Sequence, residues 1–210
     1  MLLLPSLIEV GQNLLAHPRI ADLYPEYLIT MHWIVRGSVP LMEAAHARAD
    51  AMAEDDPASA RLAIYLAEHI PEEMHHDEWA LNDLEVLGRD RSSVLAKPPS
   101  PTVAGLVGAQ YYWIFHYHPV ALLGYIAVLE GYPPSREQIE DLIARTGHRP
   151  EAFRTVLAHA ELDGHHRSVL DEKLDGLPLT KEQSTVIGLN AMYTVHTLAR
   201  AIDEITNRSG

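Results

Sequence analysis

The sequence has no cysteine. That excludes disulfides, zinc–thiolate sites, iron–sulfur clusters and a cysteine nucleophile. Basic residues are scarce: 16 Lys and Arg stand against 29 Asp and Glu, for a formal net charge of −13. A chain so acidic offers no positive surface to a phosphate backbone, so nucleic acid is not an expected partner. No apolar run approaches the ~20 residues of a membrane span. The start, MLLLPSLIEV, is apolar but has neither a basic leading segment nor a small-residue cleavage site. The expectation is a cytoplasmic protein without a membrane partner.

What is present is apolar residues and histidine. Hydrophobic residues make up 47% of the 210, enough to bury a sizeable core and to argue against wholesale disorder. Helical patterns follow one another with short turns between them. Helices are expected over about 6–17, 20–35, 38–52, 57–87, 102–129, 135–146 and 150–174, followed by a last one ending near Ile205. Pro71 should kink the fourth and Pro119 should break the fifth, because proline lacks the backbone donor. Gly88 suits the end of the fourth, the polar, proline-containing stretch 89–101 reads as a loop, and Thr180 with Gln183 forms a plausible capping box before the last helix. The fold class is therefore all-α, a compact bundle of seven to eight helices in a single domain spanning 1–210.

The chain holds 13 histidines, six of them in two short segments with carboxylates. One reads Glu68-His69-Ile70-Pro71-Glu72-Glu73-Met74-His75-His76. At about 100° per residue, a seven-residue step returns to within about 20° of its start, so Glu68 and His75 share a helix face, with Glu72 between them. The competing register, Glu73 with His76, points roughly 100° away. The other segment places His159, Asp163 and His166 at spacings of four and three, on one stripe. Glu130 closes an otherwise apolar run from Val120 to Leu129. Carboxylates and histidines at three- and four-residue spacing on facing helices are how bundles build dinuclear metal sites, and these donors suit iron, manganese or zinc. Glu68, Glu130 and Asp163 would offset most of the charge of two divalent ions, with His75, His159 and His166 as neutral ligands. His69 and His76 lie off the chosen stripe and are expected to be exposed or behind the ligands. Tyr65 and Tyr125 lie near the ligands, either beside a substrate or in the core.

Glu-x6-His, a later Glu, then His-x3-Asp-x2-His resembles the haem-oxygenase-like diiron oxidases and oxygenases. Their fold is shared with haem oxygenase, the thiaminase-like proteins and the pyrroloquinoline quinone synthesis protein. The phrase Glu72-Glu73-Met74-His75 followed by Asp83-Leu84-Glu85-Val86-Leu87-Gly88 also looks like iron-containing redox enzymes. The resemblance implies a haem-oxygenase-like helical domain and metal ligands at Glu68, His75, Glu130, His159, Asp163 and His166. It also implies two iron ions (manganese an option at one position) and O2 as co-substrate. The reaction implied is N-oxygenation or C–C cleavage of a small amine, amino acid or fatty acid. Lack of cysteine argues against a thiaminase. A ferritin-like storage protein fits poorly, since the two motif helices are not both Glu-x2-His. Other readings are a non-catalytic metal carrier or a haem-binding protein with His32 as axial ligand. A homodimer is a further expectation.

Overall fold

The computed structural model describes residues 4–131, 134–160 and 176–207. Among these the structure is all-α, with no strand. Five helices lead from the first residues to the first histidine-rich segment: α1 (Leu4–Ala16), α2 (Ile20–Val35), α3 (Ser38–Asp50), α4 (Pro57–Glu73) and α5 (His76–Val86). They are followed by α6 (Arg91–Ala96), α7 (Pro101–His116), a 3-10 turn Pro119–Ala121, α8 (Leu122–Leu129) and α9 (Arg136–Thr146). A second 3-10 turn, Pro150–Phe153, opens α10 (described over residues 154–160), and α11 (Lys181–Asn207) closes the bundle. No described helix is long and apolar enough to cross a membrane.

Local chemistry accounts for several helix ends. Asp56 caps α4 by accepting from the Ser59 backbone N–H at 3.0 Å, with Pro57 in the first turn, where no donor is needed. Ser100 and Ser135 cap α7 and α9 in the same way, and Gln138 completes a capping box with Ser135. The Thr180–Gln183 box is present too, with both bonds near 3 Å. Gly88, at φ +76°, ends α5, and the next amide reaches back to the Leu84 carbonyl.

Two elements differ from expectation. The stretch 89–101 contains α6, because the Asp90 carboxylate takes the Ser93 amide at 2.8 Å and caps a short turn of helix. The helix expected over 57–87 is two helices. Pro71 is accommodated within α4, and the break falls after it: Met74 is extended and His75 turns left-handed at φ 71°. His75 is the non-glycine residue with positive φ among those described, a conformation costing ~1–2 kcal/mol for an L side chain.

The interior is one apolar cluster to which α1 to α11 all contribute, α6 through Val94. α8 lies against α11 closely enough that glycine is required at Gly124: a Cβ there would overlap the Ile187 carbonyl and come within 2.7 Å of the Ala191 nitrogen. Beside it, Gln110 of α7 and Asn190 and Thr194 of α11 form a fully buried hydrogen-bonded chain. Gln110 in turn donates to the Leu106 carbonyl, so this polar patch lies inside the core with its amides partnered. The Tyr24 hydroxyl donates to the Ala152 carbonyl at 3.0 Å and its ring stacks on Phe153. That contact seats α2 against the turn leading into α10.

Candidate metal centre

The apolar stripe of α4 decides which polar residues face inward. Leu62, Tyr65 and Leu66 are buried, and steps of seven and eleven residues from Leu62 return to within about 20° of its direction. Those steps land on His69 and Glu73. The side chain of His69 is 4% exposed and that of Glu73 is 11% exposed. The break at Met74–His75 then starts α5 with His76 turned inward, 4% exposed.

The same phase turns the α4 part of the expected ligand stripe away from the buried cluster. Glu68 and His75 are exposed, because Glu68 sits about 120° round the helix from Leu62 and His75 lies at the left-handed break. Glu72, the alternative to Glu68, is 55% exposed and meets the cluster from its edge. His69 and His76, expected off the stripe, are the buried members. Glu130 and His159 do come to this place. Asp163 and His166 lie outside the described residues.

His69, Glu73 and Glu130 each present a donor atom within 4.8 Å of the others. Glu130 caps the end of α8, and its Oε1 is 2.9 Å from His69 Nε2; Glu72 Oε2 lies 3.2 Å from His69 Nδ1. Carboxylates accept on both sides of the ring, so both nitrogens carry protons. Burial alone would depress this imidazolium. The hydrogen bond and charge of Glu130, with Glu72 and Glu73, outweigh burial and raise His69 to about 9. Tyr65 stacks on the same ring at 5.2 Å. Burial pushes Glu73 up, but the hydrogen bond and charge of His76, then the charges of His69 and His159, overcome it and hold the carboxyl below its usual range.

His76 and His159 complete the cluster. Their rings meet edge to face at 5.4 Å, and Trp79 packs against both. His76 Nδ1 donates to Glu73 Oε2 at 3.1 Å, and His159 Nδ1 donates to the Thr155 carbonyl at 2.7 Å. Each bond engages Nδ1, so Nε2 is the nitrogen that would ligate a metal, the arrangement of metal-ligating histidines. Burial, and then the nearby His76, lower the His159 pKa against the hydrogen bond to the Thr155 carbonyl. The helix carrying His159 is held from outside: Asp83 of α5, fully buried, accepts the Thr155 amide at 2.8 Å, one turn before His159. This satisfies an amide that the start of α10 leaves without an intrahelical partner.

Two carboxylates and the imidazoles of His76 and His159, largely shielded from water, are a donor set for a divalent transition ion, with His69 hydrogen-bonded behind Glu130. The residues fit iron. Glu73, Glu130 and His159, with Thr155, also line a cavity of about 430 Å³. His32, the alternative axial ligand for a haem, is not in that wall. It is buried, with Nδ1 donating to the Asp77 carbonyl.

Known proteins agree with this fold. A domain of unknown function with a haem oxygenase-like fold from Shewanella denitrificans OS217 superposes with a TM-score of 0.84 at 21% identity, covering 98% of this chain and 88% of that one. A TenA homologue from Pseudomonas syringae pv. tomato DC3000 superposes with a TM-score of 0.69 at 11% identity, covering 98% and 91%. At these identities the likeness is one of fold: the chain has the haem oxygenase-like all-α fold. No curated protein matches it. The model of the family described as iron-containing redox enzyme matches residues 26–194, most of the chain and every residue of the cluster. The chain belongs to the iron-containing redox enzyme family.

Proposed function

We propose that this protein is a non-haem diiron enzyme that uses O2 to oxidise a small organic molecule. The observation that carries the reading is the convergence of Glu73, Glu130, His69, His76 and His159 in a largely buried cluster, three of them in the wall of an apolar cavity. In this reading Glu73, His76, Glu130 and His159 hold the irons together with Asp163 and His166. These last two follow His159 at the spacing that keeps all three on one helix stripe. Manganese at one position is compatible with the same donors. Two ferrous ions, when bound, supply the electrons that activate O2.

The protein's own contribution is positioning and exclusion of water. His159 and His76 are oriented by their Nδ1 bonds to the Thr155 carbonyl and to Glu73, so each Nε2 is set without a further search of rotamers. His69 is the positioning residue for Glu130. Its Nε2–H holds Oε1 at 2.9 Å and keeps a proton next to that carboxylate, with Glu72 on the other ring nitrogen. The walls of the cavity are mainly Leu, Ile, Val and Tyr side chains. They keep bulk water from the reacting atoms and strengthen the electrostatics within.

The test is anaerobic Fe(II) titration of the metal-free protein, followed by exposure to O2 with stopped-flow absorbance. Two irons per chain and a transient visible band are expected. One iron or none, with no reaction with O2, would sink the proposal. Two irons without O2 consumption in the presence of candidate substrates would identify a carrier instead.

A further inference from the structure

We infer that the outer face of α7, with α11 beside it, is a two-fold interface on which α7 of a second copy of this chain lies antiparallel. Charged residues make up 21% of the sequence, yet there is no Asp, Glu, Lys or Arg between Lys97 and Glu130, nor between Glu182 and Arg200. These stretches hold all of α7 and most of α11, which pack side by side. The two helices are not wholly buried. Ten large hydrophobic side chains are exposed among the described residues, and six of them are here. Tyr112, Phe115 and Tyr117 lie at and just past the end of α7; Leu189, Met192 and Tyr193 lie on α11. They belong to one surface, because the Tyr193 hydroxyl donates to the Gly105 carbonyl at 3.1 Å and Asn190 donates to Gln110 further along. Single exposed apolar residues are ordinary, whereas a contiguous patch of them marks a contact site. Aromatic and methionine side chains with charge depleted are the composition of interface centres.

The relief of this face selects a second copy as its occupant. Gly105, Gly108, Tyr112 and Phe115 follow one another along α7 at steps of three and four, and all four are exposed. The first pair is flat and the second projects. A Cβ added at Gly108 would meet nothing within 4 Å, and one at Gly105 would meet the Tyr193 hydroxyl at 3.9 Å. A two-fold axis beside Gly108 reverses one α7 over the other. Tyr112 of each copy then stands on Gly105 of the other, beside its Tyr193. The bulky half meets the flat half twice, as a self-complementary contact requires. Charge favours the same arrangement. Two copies at −13 each repel wherever acidic surfaces meet, and this face brings no charged side chain to the contact. The size suffices: α7 is about 24 Å long and, with α11 beside it, about 20 Å wide, so two copies cover roughly the 1,000 Å² expected of a specific interface. Among the described residues the cavity wall takes nothing from α7, so the inference stands apart from the metal reading.

The experiment is sedimentation velocity of the full chain, diluted from about 100 μM to about 1 μM to span micromolar dissociation constants. The expected mass at the upper end is twice the 23.4 kDa of the chain. Gly108→Glu sets a carboxylate on the axis, opposite its own copy, and is expected to weaken the dimer by about 100-fold or more, since like charges opposed in an interface are strongly disfavoured. Glutamate is a better helix former than glycine, so the variant is expected to sediment as a folded monomer with the helical circular dichroism of the wild type. Tyr112→Glu, at a side chain 63% exposed, should act in the same direction and covers the case in which the Gly108 variant does not fold. A third arm uses the absence of cysteine. Gly108→Cys places one thiol per chain at the axis, and mild oxidation should join two chains through it faster than through Glu137→Cys on the exposed side of α9. A wild-type mass other than that of a dimer, a dimer that survives both glutamate variants, or cross-linking no faster at position 108 than at 137 would overturn the inference.

Discussion

The two faces of α4 and its junction with α5 carry the same chemistry one residue apart. Glu68, Glu72 and His75 lie on or near the outer face, and His69, Glu73 and His76 on the inner face. Residue type and spacing cannot separate them, since each set repeats at intervals of three or four. What separates them is phase relative to Leu62, Tyr65 and Leu66. A polar residue in line with that apolar stripe is carried into the interior, where a carboxylate must find a cation or a proton. A polar residue elsewhere on the helix is a solvated surface. A metal site is thus located by the apolar residues next to it as much as by its ligands.

The largest expected effect contrasts the two faces directly. Glu73→Ala and His76→Ala each remove a donor from the buried cluster and should lower Fe(II) affinity by more than about 100-fold, beyond the 10–100-fold typical of residues that only orient ligands. Glu68→Ala and His75→Ala should leave iron binding within a factor of about two, as for exposed side chains away from a site. Iron per chain after desalting, measured on all four variants, checks the contrast. Iron loss from the outer pair and retention by the inner pair would reverse the assignment.

His69→Gln tests the inner face more finely. Glutamine can still donate to Glu130 but cannot carry the charge that the two flanking carboxylates stabilise. Iron affinity should fall by about 10-fold, the lower end of the range for positioning residues, with stoichiometry kept. A loss as complete as that in Glu73→Ala would make His69 a ligand.

How much of this was legible follows from where each signal resides. The Thr180–Gln183 box, the stop at Gly88 and the break at Pro119 are local, and the sequence discloses them because a few adjacent residues satisfy the backbone groups involved. Residue type and spacing singled out Glu130 and His159 as candidate ligands, and the structure brings both to the buried cluster. The helix phase was readable in principle, since the stripe from Leu62 to Leu66 points to His69 and Glu73, but spacing among polar residues alone misses it. Two features could not be read. The break at Met74–His75 contains neither glycine nor proline, so nothing local marks it. The cavity depends on how α1, α2 and α9 settle against α8 and α11, which is a property of tertiary packing.

Asp83 extends the comparison to a carboxylate buried without a metal role. Burial raises its pKa, against the hydrogen bonds from Thr155. For an acid raised in the folded state, folding favours the protonated form. Its favourable contribution is present below the unfolded pKa and is lost as pH rises through the folded one. Asp83→Asn keeps an acceptor for the Thr155 amide and removes the ionisation. The Tm of the variant relative to wild type should therefore rise between acidic and neutral pH. Asp83→Ala, which leaves that amide without its acceptor, should cost about 1–3 kcal/mol at any pH. Thermal melts of the three proteins across pH 4 to 7, bounds chosen to bracket the ~3.9 of an unperturbed aspartate, decide it. A Tm difference that is flat with pH would show that Asp83 does not ionise in this window.

The smallest effect concerns His75, where the outer face meets the backbone. Its side chain is exposed, yet its φ of 71° makes the turn that brings His76 inward. Glycine adopts that conformation without the Cβ clash, which is worth ~1–2 kcal/mol, but it also gives the unfolded chain more freedom, which offsets part of the gain. His75→Gly should therefore raise stability by about 0.5–1 kcal/mol and leave iron binding unchanged, while β-branched His75→Val should lower stability at this positive φ. Urea melts of both variants, with iron per chain measured alongside, separate a backbone role from a ligand role. Iron lost from both variants alike would make the imidazole a ligand after all. Iron retained by glycine and reduced in valine would show that the left-handed turn, and not the side chain that occupies it, orients His76 within the cluster.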